Sequence, residues 1–285
     1  MEKVLDQKYR MLRQILKECG AVAVAFSGGV DSSVLLAAAT EACTRVCAVT
    51  AVSSLAPGRE SEEAGDFCRG RGIRQIVVRP DLLAVPGFRG NPPDRCYICK
   101  KALFTRMLSA VSEEGFATLA EGSNADDSAD YRPGRRALME LHIRSPLKEA
   151  GLTKADVRAL AAQMGLAAAS KPAYACLASR IPYGEEITEE KLSMAERGEQ
   201  ILHDEGFLQS RVRIHGNAAR IEVEPYLISR FGDDALRHRI AEGFRAIGFS
   251  YTSLDLDGYR MGSLNEVLPE STIRSAAGEE GRKTS

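Results

Sequence analysis

The sequence predicts an α/β protein with a doubly wound parallel sheet, followed by a smaller C-terminal α+β domain. Over the first 170 residues, short apolar runs alternate with helical patterns, which is typical of parallel strands joined by crossover helices. After Ser170 the order changes to a strongly charged helix, two short strands, another helix and a final strand. We therefore predict one domain over residues 1–170, a second over 171–270 and a disordered tail over 271–285.

Each element follows from its local pattern. An amphipathic helix is expected over residues 1–20, parallel strands over 21–26, 46–52, 73–78 and 117–121, and helices over 32–43, 59–71, 99–114 and 154–164. Thr153 is the expected N-cap of the last of these helices, with Asp156 in its first turn. In the second domain we predict helices over 188–205 and 233–247, and strands over 211–215, 220–224 and 249–254.

Composition and charge exclude several classes of protein. The 285 residues are 44% hydrophobic and 27% charged, and Lys+Arg 38 against Asp+Glu 39 gives a net charge of −1. Without a global positive field, no nucleic-acid partner is expected. No apolar run reaches the length of a membrane span, and the charged N-terminal helix does not resemble a signal peptide. Seven cysteines, an odd number, indicate reduced thiols and a cytoplasmic protein.

The turn after the first strand has the character of a phosphate site. It leads directly into a helix, so unpaired backbone N–H groups and the helix dipole converge there. Gly28 and Gly29 permit a close approach of the backbone, while Ser27, Ser32 and Ser33 offer hydroxyls. No Lys follows the glycines, so the turn is not a Walker A loop. The alternative is an ordinary turn between a strand and a helix.

A second polar run follows the predicted strand over 117–121. Gly122 and Asn124 permit a tight turn, and Asp126 and Asp127 carry the hard oxygen ligands that Mg²⁺ prefers. Arg132 could neutralise the charge of a departing phosphate group. Because the carboxyl ends of parallel strands meet at one edge of a sheet, this run should lie opposite the first turn. The alternative is a solvated loop rich in Asp and Asn.

Three cysteines form a third candidate group. Cys96 and Cys99 make a CxxC at the front of a predicted helix, and Cys176 lies in a loop after the first domain. The CxxC could be a redox pair, half of a zinc site, or part of an iron–sulfur site completed by a third thiolate. Without a second CxxC or suitably spaced histidines, a closed zinc site is disfavoured. The other four cysteines lie in helix or strand patterns and are predicted to be core thiols: Cys19, Cys43, Cys47 and Cys68.

Cys176 has a further claim to reactivity. Lys171 and Arg180 flank it, and nearby cations lower the pKa of a thiol and favour the thiolate. The alternative is a structural cysteine in a loop.

Taken together, these segments resemble a known family. The turn over 26–33 is similar to the PP-loop of ATP pyrophosphatases, and further segments in the same order resemble the LarE family of sulfur-inserting enzymes. The segments are 27–33, 95–100, 121–134, 144–147, 175–184 and 258–266. The resemblance implies a PP-loop fold of the adenine nucleotide alpha hydrolase type. One departure is Met261, where the family has a smaller polar residue.

The resemblance also implies a reaction. A carboxylate of pyridinium-3,5-biscarboxylic acid mononucleotide would be adenylated by ATP with Mg²⁺ and converted to a thiocarboxylate for the nickel-pincer nucleotide cofactor. Some members of the family sacrifice the sulfur of the cysteine that matches Cys176. Members with the CxxC use three cysteines to hold a [4Fe-4S] cluster that carries a sulfide from a sulfide donor. The presence of Cys96 and Cys99 places this chain with the second kind.

Site residues follow from the same resemblance. Cys176, Asp31, Ser179 and Arg180 are expected to be catalytic, and Cys96, Cys99 and Cys176 to be cluster ligands. The expected nucleotide-binding residues are Ser27, Gly28, Gly29, Asp31, Ser32, Gly122, Asn124, Asp126, Asp127 and Arg132. Arg211 and Arg213, on one face of a strand, would bind the substrate phosphate, although they could equally be solvent-facing residues of an edge strand. Arg260 and Glu222 are weaker candidates for that pocket.

Other functions remain open at this stage. The nearest are a PP-loop tRNA thiolase, which can also use three cysteines, and an ammonia-dependent synthetase, which would not explain those cysteines. A nucleotide-binding regulator without turnover is the alternative from another class. For the predicted enzyme we expect a small-molecule nucleotide substrate, no membrane partner and a homo-oligomer.

Overall fold

The computed structural model describes residues 2–128, 133–171, 176–260 and 262–269. The predictions made for Arg132 and for the tail over 271–285 lie outside the described residues.

The N-terminal sheet is parallel and has four described strands. They are β1 (Ala21–Ala25), β2 (Arg45–Ala51), β3 (Gln75–Val78) and β4 (Leu119–Ala120), in the spatial order β3-β2-β1-β4. The chain moves outward from β1 to β3 and then returns to the other side of β1, where Ala23 pairs with Leu119. This reversal makes the crevice between β1 and β4 the switch point, the place where open α/β sheets bind ligands.

Helices cover both faces of this sheet. They are α1 (Glu2–Cys19), α2 (Val30–Ala42), α3 (Gly58–Gly70), α4 (Arg95–Glu113), α5 (Gly134–Glu140), α6 (Pro146–Glu149) and α7 (Lys154–Gln163). Alternate residues of β1 enter different cores: Val22 and Val24 pack with residues of α1, α2 and α7, whereas Ala23 packs with residues of α4. The predicted doubly wound α/β fold is therefore confirmed. Thr153 caps α7 as expected, accepting from the Asp156 amide at 3.2 Å.

The C-terminal elements form a second, smaller sheet. They are α8 (Glu189–Asp204), β5 (Ser210–His215), β6 (Ala218–Val223), α9 (Asp234–Ile247) and β7 (Tyr251–Leu254). β6 pairs antiparallel with β5 and parallel with β7. The core beneath this sheet also takes Leu55, Leu82 and Phe88 from the first 170 residues. The two halves therefore share apolar packing, and their division at residue 170 stays a prediction. Nowhere in the described ranges does a helix combine the length and apolarity needed to cross a membrane.

A buried asparagine joins the start of α4 to the segment that follows Cys176. Asn91 is fully buried and has a φ of 52°, a conformation that Asn tolerates better than most residues. Its amide nitrogen donates to the carbonyls of Ile181 at 3.1 Å and Pro182 at 2.6 Å. Its oxygen accepts from Arg95 at 2.6 Å, which fixes a residue in the first turn of α4. These bonds hold two regions of the chain in one arrangement.

We expect Asn91→Ala to lower the free energy of unfolding by about 2–3 kcal/mol, because two buried carbonyls and a buried guanidinium lose their partner. Asn91→Gly is the matched control: it loses the same bonds but relieves the left-handed backbone, so it should be less destabilised by about 1 kcal/mol. Urea denaturation measures both. A loss below about 0.5 kcal/mol for the alanine variant would show that these bonds do not hold the two regions together.

Candidate active site

A cavity of about 560 Å³ opens at the carboxyl ends of β1 and β4. Its wall contains Ser27 and Asp31 from the turn after β1, Gly122 from the segment after β4, and Cys96, Cys99 and Cys176. The two polar runs and the three cysteines that the sequence singles out therefore meet in one place.

The turn between β1 and α2 leaves backbone amides available to a ligand. Gly28 has a φ of 77°, which favours glycine, and Gly29 is the N-cap of α2 without a described side chain capping it. The Ser32 hydroxyl donates to the Gly29 carbonyl at 3.1 Å and accepts from the Ser27 amide at 3.3 Å, which braces the turn. An uncapped helix N-terminus with a fixed turn is an arrangement suited to phosphate.

Asp31 is held by two residues from other elements. One carboxylate oxygen accepts from the Asn124 side-chain amide at 3.1 Å, and the other accepts from Lys154 Nζ at 2.5 Å. Lys154 is the first residue of α7, where the helix dipole disfavours a cation, so it needs a nearby carboxylate. The sequence reasoning missed Lys154, and this unfavourable position was the signal that could have found it.

The segment after β4 packs closely on the turn. A Cβ at Gly122 would lie 3.0 Å from the Ser32 amide nitrogen and 3.2 Å from the Asp31 carbonyl carbon, so a side chain there would displace the start of α2. Of the two aspartates in this segment, Asp127 lines the cavity, and it accepts from the Asn124 amide at 2.9 Å. Asp126 instead accepts from the Lys154 amide at 2.8 Å and so fixes the start of α7.

A further carboxylate in the cavity wall was not predicted. Glu121 is buried at the end of β4, where it accepts from the hydroxyls of Ser123 at 2.8 Å and Ser145 at 2.5 Å. It lines the cavity, as Asp31 and Asp127 do. Among the described residues these three carboxylates are not grouped as ligands of a single metal ion, so a Mg²⁺ site here stays a prediction.

The three cysteines influence one another electrostatically. Cys96 and Cys99 lie in the first turn of α4, and Cys176 precedes a short 3-10 turn over Leu177–Arg180. Burial, together with the neighbouring Cys176 and Cys96, raises the pKa of Cys99 to about 12. Within the part of the chain that the structure describes, no three such side chains are grouped as ligands of a single metal ion. The thiolates on a cubane bind different irons, so their sulfurs need not converge on one point.

The expectation that flanking cations give Cys176 a lowered pKa is wrong, because its pKa is raised overall. Although the residue is exposed, its thiol stands in a cleft walled by protein, and burial raises its pKa. Arg95 and Arg180 lower this pKa, but by less than burial raises it. Arg180 is paired with Glu199. Lys171 is paired with Glu63 at 2.5 Å.

Arg180 and Arg213 hold the turn that carries Cys176. Arg180 is buried and makes a two-bond ion pair with Glu199, at 2.6 and 3.0 Å, while also donating to the Ser179 hydroxyl at 2.6 Å. Arg213 donates to the Ser179 carbonyl at 2.7 Å and makes a second two-bond pair with Glu222. Leu177 adds a backbone bond to Leu55 at 2.8 Å.

The arginines of β5 are not solvent-facing. Arg211 and Arg213 are both buried, although β5 is an edge strand of its described sheet. Burial lowers the pKa of Arg211, and the neighbouring charge of Arg180 lowers it further. Arg260 differs from both in being partly exposed, and it pairs with Asp255, Asp257 and Glu266. None of these three arginines lines the 560 Å³ cavity.

Glu60 is a second residue of the cavity wall that sequence reasoning missed. It lies in the first turn of α3, and one of its carboxylate oxygens is buried without a hydrogen-bond partner among the described residues. Burial raises its pKa from 4.5 to about 7. The sequence could not have singled out Glu60, because Glu is common in the first turn of helices and the lack of a hydrogen-bond partner depends on the tertiary structure.

Comparison with known proteins agrees with this architecture. No family model matches the chain. A protein of Synechocystis sp. described only as uncharacterized is 40% identical over 266 residues, which cover 93% of this chain and 99% of that protein. The tRNA-specific 2-thiouridylase MnmA of Rhizobium rhizogenes is 30% identical over 239 residues, 67% of this chain and 58% of that enzyme.

A further relative covers nearly the whole chain. The pyridinium-3,5-bisthiocarboxylic acid mononucleotide synthase of Lactiplantibacillus plantarum is 35% identical over 276 residues, 96% of this chain and 99% of that enzyme. This match confirms the resemblance drawn from the motifs, and the parallel sheet with its turn after β1 confirms the PP-loop fold. The chain therefore belongs to the LarE family, the family of pyridinium-3,5-bisthiocarboxylic acid mononucleotide synthase.

Proposed function

We propose that this chain is an ATP-dependent sulfurtransferase for the nickel-pincer nucleotide cofactor. It would adenylate a carboxylate of pyridinium-3,5-biscarboxylic acid mononucleotide and convert that carboxylate to a thiocarboxylate. One observation carries the proposal: a turn suited to phosphate and three cysteines line the same 560 Å³ cavity. A nucleotide and a sulfur source can therefore meet there without a large movement of the chain.

The first half-reaction uses the end of the cavity beside α2. The amides of the turn over 27–33 would bind the β- and γ-phosphates, with Asp31 oriented by Asn124 and Lys154. Mg²⁺, held by Asp31 and Asp127, would offset the charge that develops as pyrophosphate leaves. The substrate carboxylate attacks the α-phosphorus, so that one P–O bond forms and the bond to pyrophosphate breaks.

The second half-reaction replaces AMP by sulfur. Cys96, Cys99 and Cys176 fit as the three thiolate ligands of a [4Fe-4S] cluster, because they line one cavity and each thiolate charge raises the pKa of Cys99. When bound, the cluster would supply the sulfide that displaces AMP. The chain's own contribution is to hold Cys176 in place, through the bonds of Arg180 and Arg213 to Ser179. Sacrificial use of the Cys176 sulfur is the alternative.

The substrate phosphate has a candidate site in the arginine cluster. Arg180, Arg211 and Arg213 lie close enough for the first and the third to depress the pKa of Arg211. Two of these cations are paired with Glu199 and Glu222. Clustered guanidinium groups favour a phosphate. The phosphate of the substrate would bind at Arg211 and Arg213.

The proposed reaction is tested by its products. With ATP, Mg²⁺, the biscarboxylic mononucleotide and sulfide, the anaerobically reconstituted protein should form AMP, pyrophosphate and a thiocarboxylate, detected by mass spectrometry. Substrate-dependent pyrophosphate release separates the enzyme from a nucleotide-binding regulator. Absence of both AMP and thiocarboxylate would refute the proposal.

Lys154→Met should reduce kcat for pyrophosphate release at least tenfold, because Asp31 loses the cation that orients it and balances its charge. Lys191→Met is the matched control, since the Lys191–Glu185 pair is similarly part-buried but contributes nothing to the cavity wall. Steady-state assays of pyrophosphate release measure kcat for both variants. Equal effects would assign the Lys154 pair to stability alone.

Iron and acid-labile sulfide analysis tests the sulfur source. About four irons per chain are expected after anaerobic reconstitution, and Cys96→Ala should lower this content sharply because a cubane loses one of three protein ligands. Cys43→Ala, a half-buried thiol at the end of α2, should leave it unchanged. Wild-type protein without iron that still forms thiocarboxylate once per chain would instead support sacrificial use of Cys176.

A further inference from the structure

Glu60 lies against the turn that is suited to phosphate. A Cβ placed on Gly28 would lie 3.6 Å from the Glu60 carbonyl oxygen and 3.7 Å from the Ala64 side chain, so the first turn of α3 packs directly on this loop. The Glu60 side chain lines the same cavity as Ser27 and Gly29. An anion bound on the turn is therefore a close neighbour of this carboxyl group.

The surroundings of Glu60 do not stabilise a carboxylate. Its buried oxygen Oε1 has no hydrogen-bond donor among the described residues, and burial raises its pKa to about 7. The cations near it only partly oppose this effect. The charged groups around it are Arg59 and Glu63 on α3, Arg180 in the turn over Leu177–Arg180, Arg211 on β5, Asp31 on α2 across the cavity, and Glu196 on α8, which accepts from the Gly58 amide at 2.8 Å.

We propose that Glu60 takes up one proton from solvent when a nucleoside triphosphate fills the cavity, and that the carboxylic acid then donates a hydrogen bond to the triphosphate. The proposal rests on the proposed function only in requiring that ATP binds in this cavity. A neutral carboxylic acid in an apolar or anionic site is an effective donor, whereas a carboxylate could only repel the phosphate.

The sign of the linkage follows from charge. A bound polyanion disfavours the ionised form of Glu60, so its pKa in the complex lies above that in the free protein. Between those two pKa values the complex holds more protons than the free protein, and binding consumes protons. Below about pH 6 Glu60 is already protonated before ATP arrives, so uptake disappears there. The dissociation constant of ATP should accordingly rise as the pH rises above 7.

Isothermal titration calorimetry with MgATP measures this uptake directly. Titrations at pH 8 in two buffers with different ionisation enthalpies give the number of protons exchanged. We expect close to one proton taken up by the wild-type protein and close to none by Glu60→Gln, which can donate from its amide without titrating. Glu62→Gln, an exposed position on the same helix, is the matched control and should behave like the wild type.

A pH series on the wild-type protein provides a test that needs no variant. Its dissociation constant should rise several-fold between pH 7 and 8.5, and by at most about tenfold per pH unit because one proton is linked. In Glu60→Gln it should change less than about twofold beyond the titration of ATP itself. Equal uptake in both proteins, or a wild-type constant that does not change with pH, would overturn the role of Glu60 while leaving ATP binding intact. No binding of ATP at all would instead overturn the proposed function.

Discussion

The parallel pairing of β4 with β1 determines where every candidate group of this protein lies. β4 is only two residues long, yet it brings the segment that follows it against the turn that follows β1. The contact is so close that a Cβ on Gly122 would lie only 3.0 Å from the Ser32 amide nitrogen. The side chain of Asn124 then bonds to Asp31, and Lys154 bonds to Asp31 from the start of α7. A short strand thus assembles three separate segments around one carboxylate.

The second half of the chain is attached to this site by polar contacts as well as by its shared core. The turn over Leu177–Arg180 is bonded to Leu55 near the first sheet, to Glu199 on α8 and to Arg213 on β5. Asn91 joins the same region to the start of α4. Cys96 and Cys99 are consequently positioned by α4, and Cys176 by the turn over Leu177–Arg180. The bonds of Asn91 connect these two elements. Charged groups are used here for orientation, since a buried pair adds little net stability.

The sequence alone predicted the fold and the two polar turns and three cysteines of the cavity wall, because each rests on local signals. Apolar runs locate the strands to within a few residues, and a glycine-rich turn before a helix has few other uses. What it missed depends on tertiary contacts: Lys154 acquires a role only when α7 meets α2, and Glu121 only when Ser145 approaches it. The pKa of Cys176 was misjudged for the same reason, since it is raised mainly by burial of the thiol, which depends on the tertiary structure.

Charge balance explains how a wall rich in acidic groups can receive anionic ligands. In the wall, Asp31 is matched by Lys154. Outside the wall, Glu199 and Glu222 are paired with Arg180 and Arg213. Burial raises the pKa values of the Cys99 and Cys176 thiols, which favours their neutral form in the absence of a metal. These thiols do not repel an arriving nucleotide, and the amides at the start of α2 supply positive potential without a mobile cation. Sulfur becomes nucleophilic only after a thiol loses its proton or binds a metal. Under the proposed function, a bound cluster would meet this requirement, because it would keep all three cysteines as iron-bound thiolates while the nucleotide enters.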